Sequence, residues 1–379
     1  MPNLLLSAAT VSFFITFFAV PAVIRVADEK GLFDKPDSRK LHTKAIASLG
    51  GVGIFIGFFI ALLVFLPGFN NNELQYLLAA SFITFFLGIK DDILVLSASK
   101  KFLGQLAAAA IVIHLADIRI DSMHGFLGVY NLPDVVSYPL SYITIVVIVN
   151  AFNLIDGVDG LAASLGILTT AVFGAYFSMA GLPAYALFSF SLTGALAAFL
   201  AYNYHPAKIF MGDSGSLLLG LINAVLVIKF ITVADSTAGS FPITSSVAIG
   251  FSILLIPLLD TLRVFSVRIA KGRSPFSPDR NHIHHLLLDR GLNHSQVTHV
   301  CLVMNVCFIA LAYFGRSFGS TLLMTTMIGT SYALLGIVKY WKKRPVLVVA
   351  SSSYQNNNEQ MSSTKVVSFK SDEVAMAEQ

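Results

Sequence analysis

Charge is what this chain has least of. Of its 379 residues only 12% are charged, against 55% hydrophobic, where a soluble domain carries about 25% charged residues. That balance excludes an ordinary water-soluble domain and points to a polytopic membrane protein. The formal net charge of +4 is too small to suggest a nucleic-acid surface, so no nucleic-acid partner is expected. Cysteine is nearly absent: Cys301 and Cys307 are the two present. Six residues along a helix amount to about 9 Å of rise, too far for a disulfide between them. They read as small buried hydrophobes, and no zinc spacing is present. The first apolar stretch, Asn3 to Ile24, has neither a basic start nor a small-residue cleavage site. It reads as a retained span and not as a signal peptide. No internal repeat and no second folded domain stand out.

What is present is a series of apolar runs, each about long enough to cross a bilayer. They predict an all-α protein of about eleven transmembrane helices, near 3–24, 48–67, 74–89, 102–117, 135–152, 160–180, 182–202, 214–234, 243–262, 297–315 and 319–338. The connections after odd-numbered runs are basic. They hold Arg25, Lys30, Lys35, Arg39, Lys40 and Lys44, then Lys90, Lys100 and Lys101, then Lys208. Later ones hold Arg263, Arg268, Lys271, Arg273, Arg280 and Arg290, and finally Lys339, Lys342, Lys343 and Arg344. The connections after even-numbered runs hold Arg119 and Arg316 and little else. The positive-inside rule therefore predicts an N-terminus outside and a C-terminus in the cytoplasm. Residues 1–340 read as one membrane-embedded domain. Residues 345–379, rich in Ser, Asn, Gln and Glu, read as a disordered cytoplasmic tail.

Five aspartates sit where apolar runs end: Asp91, Asp92, Asp156, Asp159 and Asp213. Carboxylates are costly beside a bilayer, and the loop charges alone put all five on one side, the cytoplasmic one. The adjacent pair Asp91-Asp92 either holds a hard cation or has one member poised to accept a proton; a solvated interfacial pair is the bland alternative. Asn153, Asp156 and Asp159 recur every third residue, so on a helix-like turn they would face roughly one way. A simple turn would not need the spaced Asn. Asp213, followed by Ser-Gly-Ser, opens a helix whose first amides suit an anion or a metal-phosphate; it would equally serve as an ordinary N-cap. Phe210 could stack on a base or be an interfacial aromatic. The longest basic connection ends Asp279-Arg-Asn-His-Ile-His-His, a set of donors for pyrophosphate oxygens. With no Cys nearby, zinc is the weaker alternative.

Taken in order, Asp91-Asp92, Asn153-x-x-Asp156-Gly-x-Asp159-Gly, Phe210-Met-Gly-Asp213-Ser-Gly-Ser and His282-Ile-His-His resemble the polyprenyl-phosphate N-acetylhexosamine-1-phosphate transferase family. The likeness covers most of residues 1–340. The stretch Ser274-Pro-Phe-Ser-Pro-Asp-Arg-Asn-His-Ile-His-His is similar to the bacterial undecaprenyl-phosphate GlcNAc-1-phosphate transferase branch, which is related to phospho-MurNAc-pentapeptide translocase. One departure is the early loop Arg39-Lys-Leu-His-Thr-Lys-Ala-Ile-Ala-Ser-Leu-Gly-Gly, where the family has a Pro and an Arg before Leu-Gly-Gly.

The resemblance implies residue roles. Asp91, Asp92, Asp156 and Asp159 would be catalytic, and Asp213 with Asp92 would hold Mg²⁺, with Mn²⁺ as a substitute. Asn153, Asp159, Asn203 and Phe210 would line the nucleotide pocket. Arg280, His282, His284 and His285 would contact the donor's diphosphate or sugar, and Lys101 the lipid phosphate. The implied reaction is Mg-dependent transfer of N-acetylglucosamine-1-phosphate from UDP-GlcNAc to undecaprenyl phosphate, releasing UMP. The product would be the lipid-linked first sugar of a cell-envelope polysaccharide such as lipopolysaccharide. Another UDP-N-acetylhexosamine, or UDP-MurNAc-pentapeptide, is the alternative donor. The implied setting is the bacterial inner membrane, with the site facing the cytoplasm and the chain in a homodimer. A transporter or lipid flippase is the rival from another class, but transporters gather ionisable groups near the midplane among broken helices.

Overall fold

The computed structural model describes residues 2–34, 46–66, 73–235, 241–270, 272, 283–340, 347–348 and 367–368. Among these the chain is almost entirely helical, and every apolar run read from the sequence is helical, the ninth as two helices. The helices are α1 (Pro2–Lys30), α2 (Gly50–Phe65), α3 (Glu73–Leu94), α4 (Ala98–Ala110, continued by a π-helical turn Ile111–Leu115) and α5 (Asp134–Ile155). They continue as α6 (Leu161–Met179), α7 (Pro183–Asn203), α8 (Gly212–Ala234), α9 (Ser246–Ile253), α10 (Leu255–Ala270), α11 (Ile283–Asp289), α12 (His294–Phe314) and α13 (Ser320–Tyr340). Seven of them are long and apolar enough to cross a membrane, or eight if α9 and α10 form one bent span. Helix α2 is apolar but short. The protein is a multi-pass, mostly α-helical membrane protein.

Helix α8 is the axis. Its apolar window is 83% buried, whereas that of α13 is 17% buried, so α13 belongs to the rim. α3, α5, α2 and α6 pack on α8, while α1 leans on α7 and α2. The approach of α3 is close: a side chain added at Gly88 would run into the backbone of Asp213 and Ser214. That contact brings the end of α3 against the start of α8.

The ninth apolar run is not one straight helix. α9 and α10 meet at 81°, which strips backbone groups of partners where water is scarce. Asn305 of α12, fully buried, repairs both sides of the break. Its side chain accepts from the Ile256 N–H at 3.1 Å and donates to the Ile253 carbonyl at 2.9 Å.

The two ends of the bundle differ in chemistry. At one end lie a hairpin (Ser122–Phe126 with Val129–Asn131), the Arg119–Asp134 pair at 2.6 Å, and Glu73. The Glu73 carboxylate takes two bonds from Lys229 at 2.9 and 3.1 Å and one from the Tyr185 hydroxyl. Lys229 is thus neutralised in place, with no need to snorkel out to the headgroups. At the other end all five aspartates of the sequence motifs come together. Of the tail, the described residues are a short antiparallel pair, Leu347–Val348 with Val367–Ser368.

Candidate active site

The acidic end is built from four chain segments. The last turn of α3 supplies Asp91 and Asp92, and the first turn of α4 supplies Lys101. The end of α5 and the loop after it supply Asn153, Asp156 and Asp159; the start of α8 supplies Asp213.

Asp92 caps α8. Its two carboxylate oxygens accept the Asp213 N–H at 2.7 Å and the Ser214 N–H at 3.0 Å, two of the donors a helix leaves open at its first turn. Gly212 makes this fit. Its φ is +73°, and a Cβ there would lie within 2.9 Å of both Asp92 oxygens and 2.1 Å from the Ser48 carbonyl. Asp91 turns the other way. It takes the Leu96 N–H at 2.5 Å, which closes the turn after α3, and pairs with Lys101.

Lys101 is shared. Its ammonium touches Asp91 and, at 2.5 Å, Asp213 Oδ2. The remaining Asp213 oxygen accepts from Asn153 Nδ2 at 2.7 Å, and the same amide donates to Ser216 Oγ at 3.0 Å. Two carboxylates therefore converge on a point already occupied by positive charge. That donor set suits a hard divalent ion. The resemblance implied Asp92 as the partner of Asp213 in holding a metal, but it is Asp91 that faces the shared cation with Asp213, while Asp92 is engaged on backbone amides.

The every-third-residue pattern does not hold to its end, because α5 stops at Ile155. Asn153 and Asp156 both lie on the Asp213 side. Burial, then the negative charges of Asp213 and Asp92, push the Asp156 carboxyl well above the ordinary carboxylate range, against the opposing pull of the Gly212 N–H. Asp159 turns away into a different environment. Its oxygens meet His205 Nδ1 at 2.7 Å and His294 Nδ1 at 3.3 Å, and the Ala207 N–H at 3.3 Å. Burial alone would raise this carboxyl, but the bonds from His294 and His205 overrule it and hold it down at about 2. Asp156 and Asp159, three residues apart, are thus driven in opposite directions.

Asp159, His205 and His294 bring three ligand atoms within 4.8 Å of one another. Their N,N,O character would suit a softer transition ion more than Mg²⁺. The same geometry also accounts for itself as an ion-paired clamp tying the loop to α12, strengthened by the Thr298 hydroxyl on the Asp159 carbonyl at 3.1 Å.

Asn203 is buried and fully engaged: it accepts the Gly160 N–H at 3.0 Å and donates to the Ile209 carbonyl at 2.9 Å. It clips the acidic loop to the segment that leads into α8. Phe210 is partly buried, and its backbone pairs with Ala47 and Gly50, anchoring the start of α2 beside the site. His284 and His285 lie in α11, with rings 4.6 Å apart. Arg280 and His282 lie outside the described residues.

Sequence reading gave no role to His205, His294 or Gln105, which exchanges side-chain bonds with Asn150 at 2.8 and 3.5 Å. His205 lies two residues after Asn203. His294 opens a helix whose start is signalled by the Asn293–Gln296 capping box. Neither signal pointed to Asp159.

Comparison with known proteins identifies the family. Residues 74–231 match the model of glycosyl transferase family 4. Over 339 residues, 87% of this chain and 88% of the relative, the protein is 33% identical to the "probable undecaprenyl-phosphate N-acetylglucosaminyl 1-phosphate transferase" of Bacillus subtilis. It is 33% identical over 303 residues, 74% of each chain, to the decaprenyl-phosphate N-acetylglucosaminephosphotransferase of Mycolicibacterium smegmatis. It is 30% identical over 277 residues, 72% of this chain and 73% of the relative, to the undecaprenyl-phosphate alpha-N-acetylglucosaminyl 1-phosphate transferase of Salmonella typhi. With its distant acidic motifs assembled around one cation point, the chain belongs to glycosyl transferase family 4 and to the polyprenyl-phosphate N-acetylhexosamine-1-phosphate transferases within it, as a membrane phosphoglycosyltransferase.

Proposed function

We propose that this protein transfers N-acetylglucosamine-1-phosphate from UDP-GlcNAc to undecaprenyl phosphate, releasing UMP, at the cytoplasmic face of a bacterial inner membrane. The observation that carries this reading is the convergence of Asp91 and Asp213 on the Lys101 ammonium. Two phosphate-bearing substrates approaching five carboxylates would be repelled by unscreened charge. A divalent ion is required to reverse that sign, and Asp91 and Asp213 are the side chains that would hold it. When bound, Mg²⁺ would supply charge neutralisation at the transferring phosphoryl group.

The chain's own residues do the rest by placement. Asn153 fixes the rotamer of Asp213 through its amide. Asp92 holds the first turn of α8, so that Asp213 stays aimed at Asp91. Lys101, on a long flexible stem, carries positive charge to the level of the lipid headgroup and suits the acceptor phosphate. An oxygen of undecaprenyl phosphate attacks the β-phosphorus of the donor; the bond to UMP breaks, and UMP leaves with its electron pair. Asp159, held ionised by two histidines, is assigned to shaping the nucleotide pocket. Lys90, Lys100, Lys101 and Lys208 lie at the acidic end, against Arg119 and Arg316 at the other, which supports the cytoplasmic assignment.

The test is UMP release by purified protein. It should require UDP-GlcNAc, polyprenyl phosphate and Mg²⁺ together, and should cease on chelation. Release without lipid would replace this transfer with simple hydrolysis. A radiolabelled adduct formed from donor alone would replace direct attack with a covalent two-step path.

A further inference from the structure

Asp260 lies in α10 and is fully buried, yet no motif read from the sequence contains it. A carboxylate in such a place is costly unless its oxygens are engaged. Both oxygens are turned toward the start of α11. Oδ1 accepts the Ile283 N–H, and Oδ2 lies 3.4 Å from His284 Nδ1. His284 is itself buried, and the opposite edge of its ring faces the acidic loop. A Cβ built on Gly157 would lie 3.0 Å from His284 Nε2, so the imidazole is seated directly on the backbone between Asp156 and Asp159. The backbone of Gly157 is not left-handed; what the position demands is room for this ring.

These contacts make a line of three parts: a buried carboxylate, an imidazole whose Nδ1 edge faces it at 3.4 Å, and a glycine backbone against the Nε2 edge. A carboxylate on one imidazole nitrogen fixes ring orientation and tautomer at the other. Here it also ties the beginning of α11 to the loop of Asp156 and Asp159. We infer that Asp260 is a positioning residue for the transfer: through His284 it holds the start of α11 against Gly157, between Asp156 and Asp159. This inference rests on the proposed reaction. It adds α10 to the machinery and assigns the seat of one histidine to a glycine.

The prediction concerns two substitutions that act through a single ring. Asp260→Asn keeps an acceptor for the Ile283 N–H but removes the charge facing Nδ1. It should lower kcat/KM for UDP-GlcNAc by roughly 10- to 100-fold, the scale on which losing a group that orients a histidine acts. Gly157→Ala should displace the same ring by a few tenths of an ångström and lower the same parameter by a smaller factor. Neither should change the KM for polyprenyl phosphate, which general loosening of the bundle would raise as well. Combined, the two should be no worse than Asp260→Asn alone, because the second change acts on a ring already released.

The measurement is polyprenyl-dependent UMP release by the two single variants and the double variant, with thermal stability in detergent recorded beside it. Fold-changes that multiply in the double variant would overturn the inference, as would a raised lipid KM in either single variant. Should Asp260→Asn fail to fold, Gly157→Ala decides alone: it must lower kcat/KM for the nucleotide at unchanged lipid KM. Wild-type protein that releases no UMP with lipid present would instead defeat the proposed reaction.

Discussion

The two ends of this bundle both carry buried charge, and they use it differently. At one end the half-buried Glu73 has a cation of its own in Lys229, with Tyr185 beside it, and the two acids that share Arg119, Asp117 and Asp134, are exposed. At the other, Asp91 and Asp213 share one Lys101 while Asp92 and Asp156 stand beside them. Matched charge is self-sufficient and holds helices together. Unmatched charge of one sign persists only where a ligand completes it. Imbalance, more than the presence of charge, marks the working end of the molecule.

Substitutions can break that contrast. Asp213→Ala should abolish transfer, by on the order of a thousandfold or more, while leaving the thermal midpoint in detergent near that of the wild type. Turnover within tenfold of wild type would remove Asp213 from the site. Asp91→Asn should weaken Mn²⁺ binding strongly. Asp92→Asn should weaken it far less but cost about 1 kcal/mol of stability, since a helix cap is lost; equal metal affinities in the two variants would erase the distinction drawn between them. At the balanced end the effects should reverse. Lys229→Met leaves Glu73 without its cation and should lower stability by roughly 2–3 kcal/mol, with kcat per folded molecule unchanged within about twofold.

The smallest effects, and the finest distinction, lie within the acidic loop. Asp159 is held at about 2, below its ordinary 3.8. A depressed carboxyl contributes stability present above pH 3.8 and lost as pH falls toward 2, worth on the order of 2 kcal/mol. Asp159→Asn should therefore be less stable than wild type at pH 5, and the gap should close in acid. Asp156 is raised, so the sign inverts. Wild type pays no ionisation cost below pH 3.8 and loses stability as pH rises toward the folded pKa. Asp156→Asn should gain on wild type over that rise. Parallel pH curves for the two variants in urea or heat would contradict the opposed environments.

Much of this was readable beforehand. Apolar run length located the helices, though not the break in the ninth run or the shortness of α2, and loop lysines and arginines placed Asp91, Asp156 and Asp213 at one end. What stayed hidden was pairing at long range. Nothing near Asp159 announces His294, 135 residues on. The break at Leu254 looks like continuous apolar sequence, because the group that makes it tolerable, Asn305, lies on another helix. Asp91 and Asp92 are chemically alike and adjacent; only the direction of α3 gives one a cation and the other a helix to cap. The spacing of Asn153, Asp156 and Asp159 predicted a shared face, but the helix ends before the third member, and that residue swings to the histidines.

Electron paramagnetic resonance of Mn²⁺ titrated into the purified protein tests the account most directly. Wild type, Lys229→Met and Asp159→Asn should each hold a tightly bound ion, and Asp213→Ala and Asp91→Asn should lose it. Undiminished Mn²⁺ binding in Asp213→Ala would show that the unmatched carboxylates at this end are not what holds the cation.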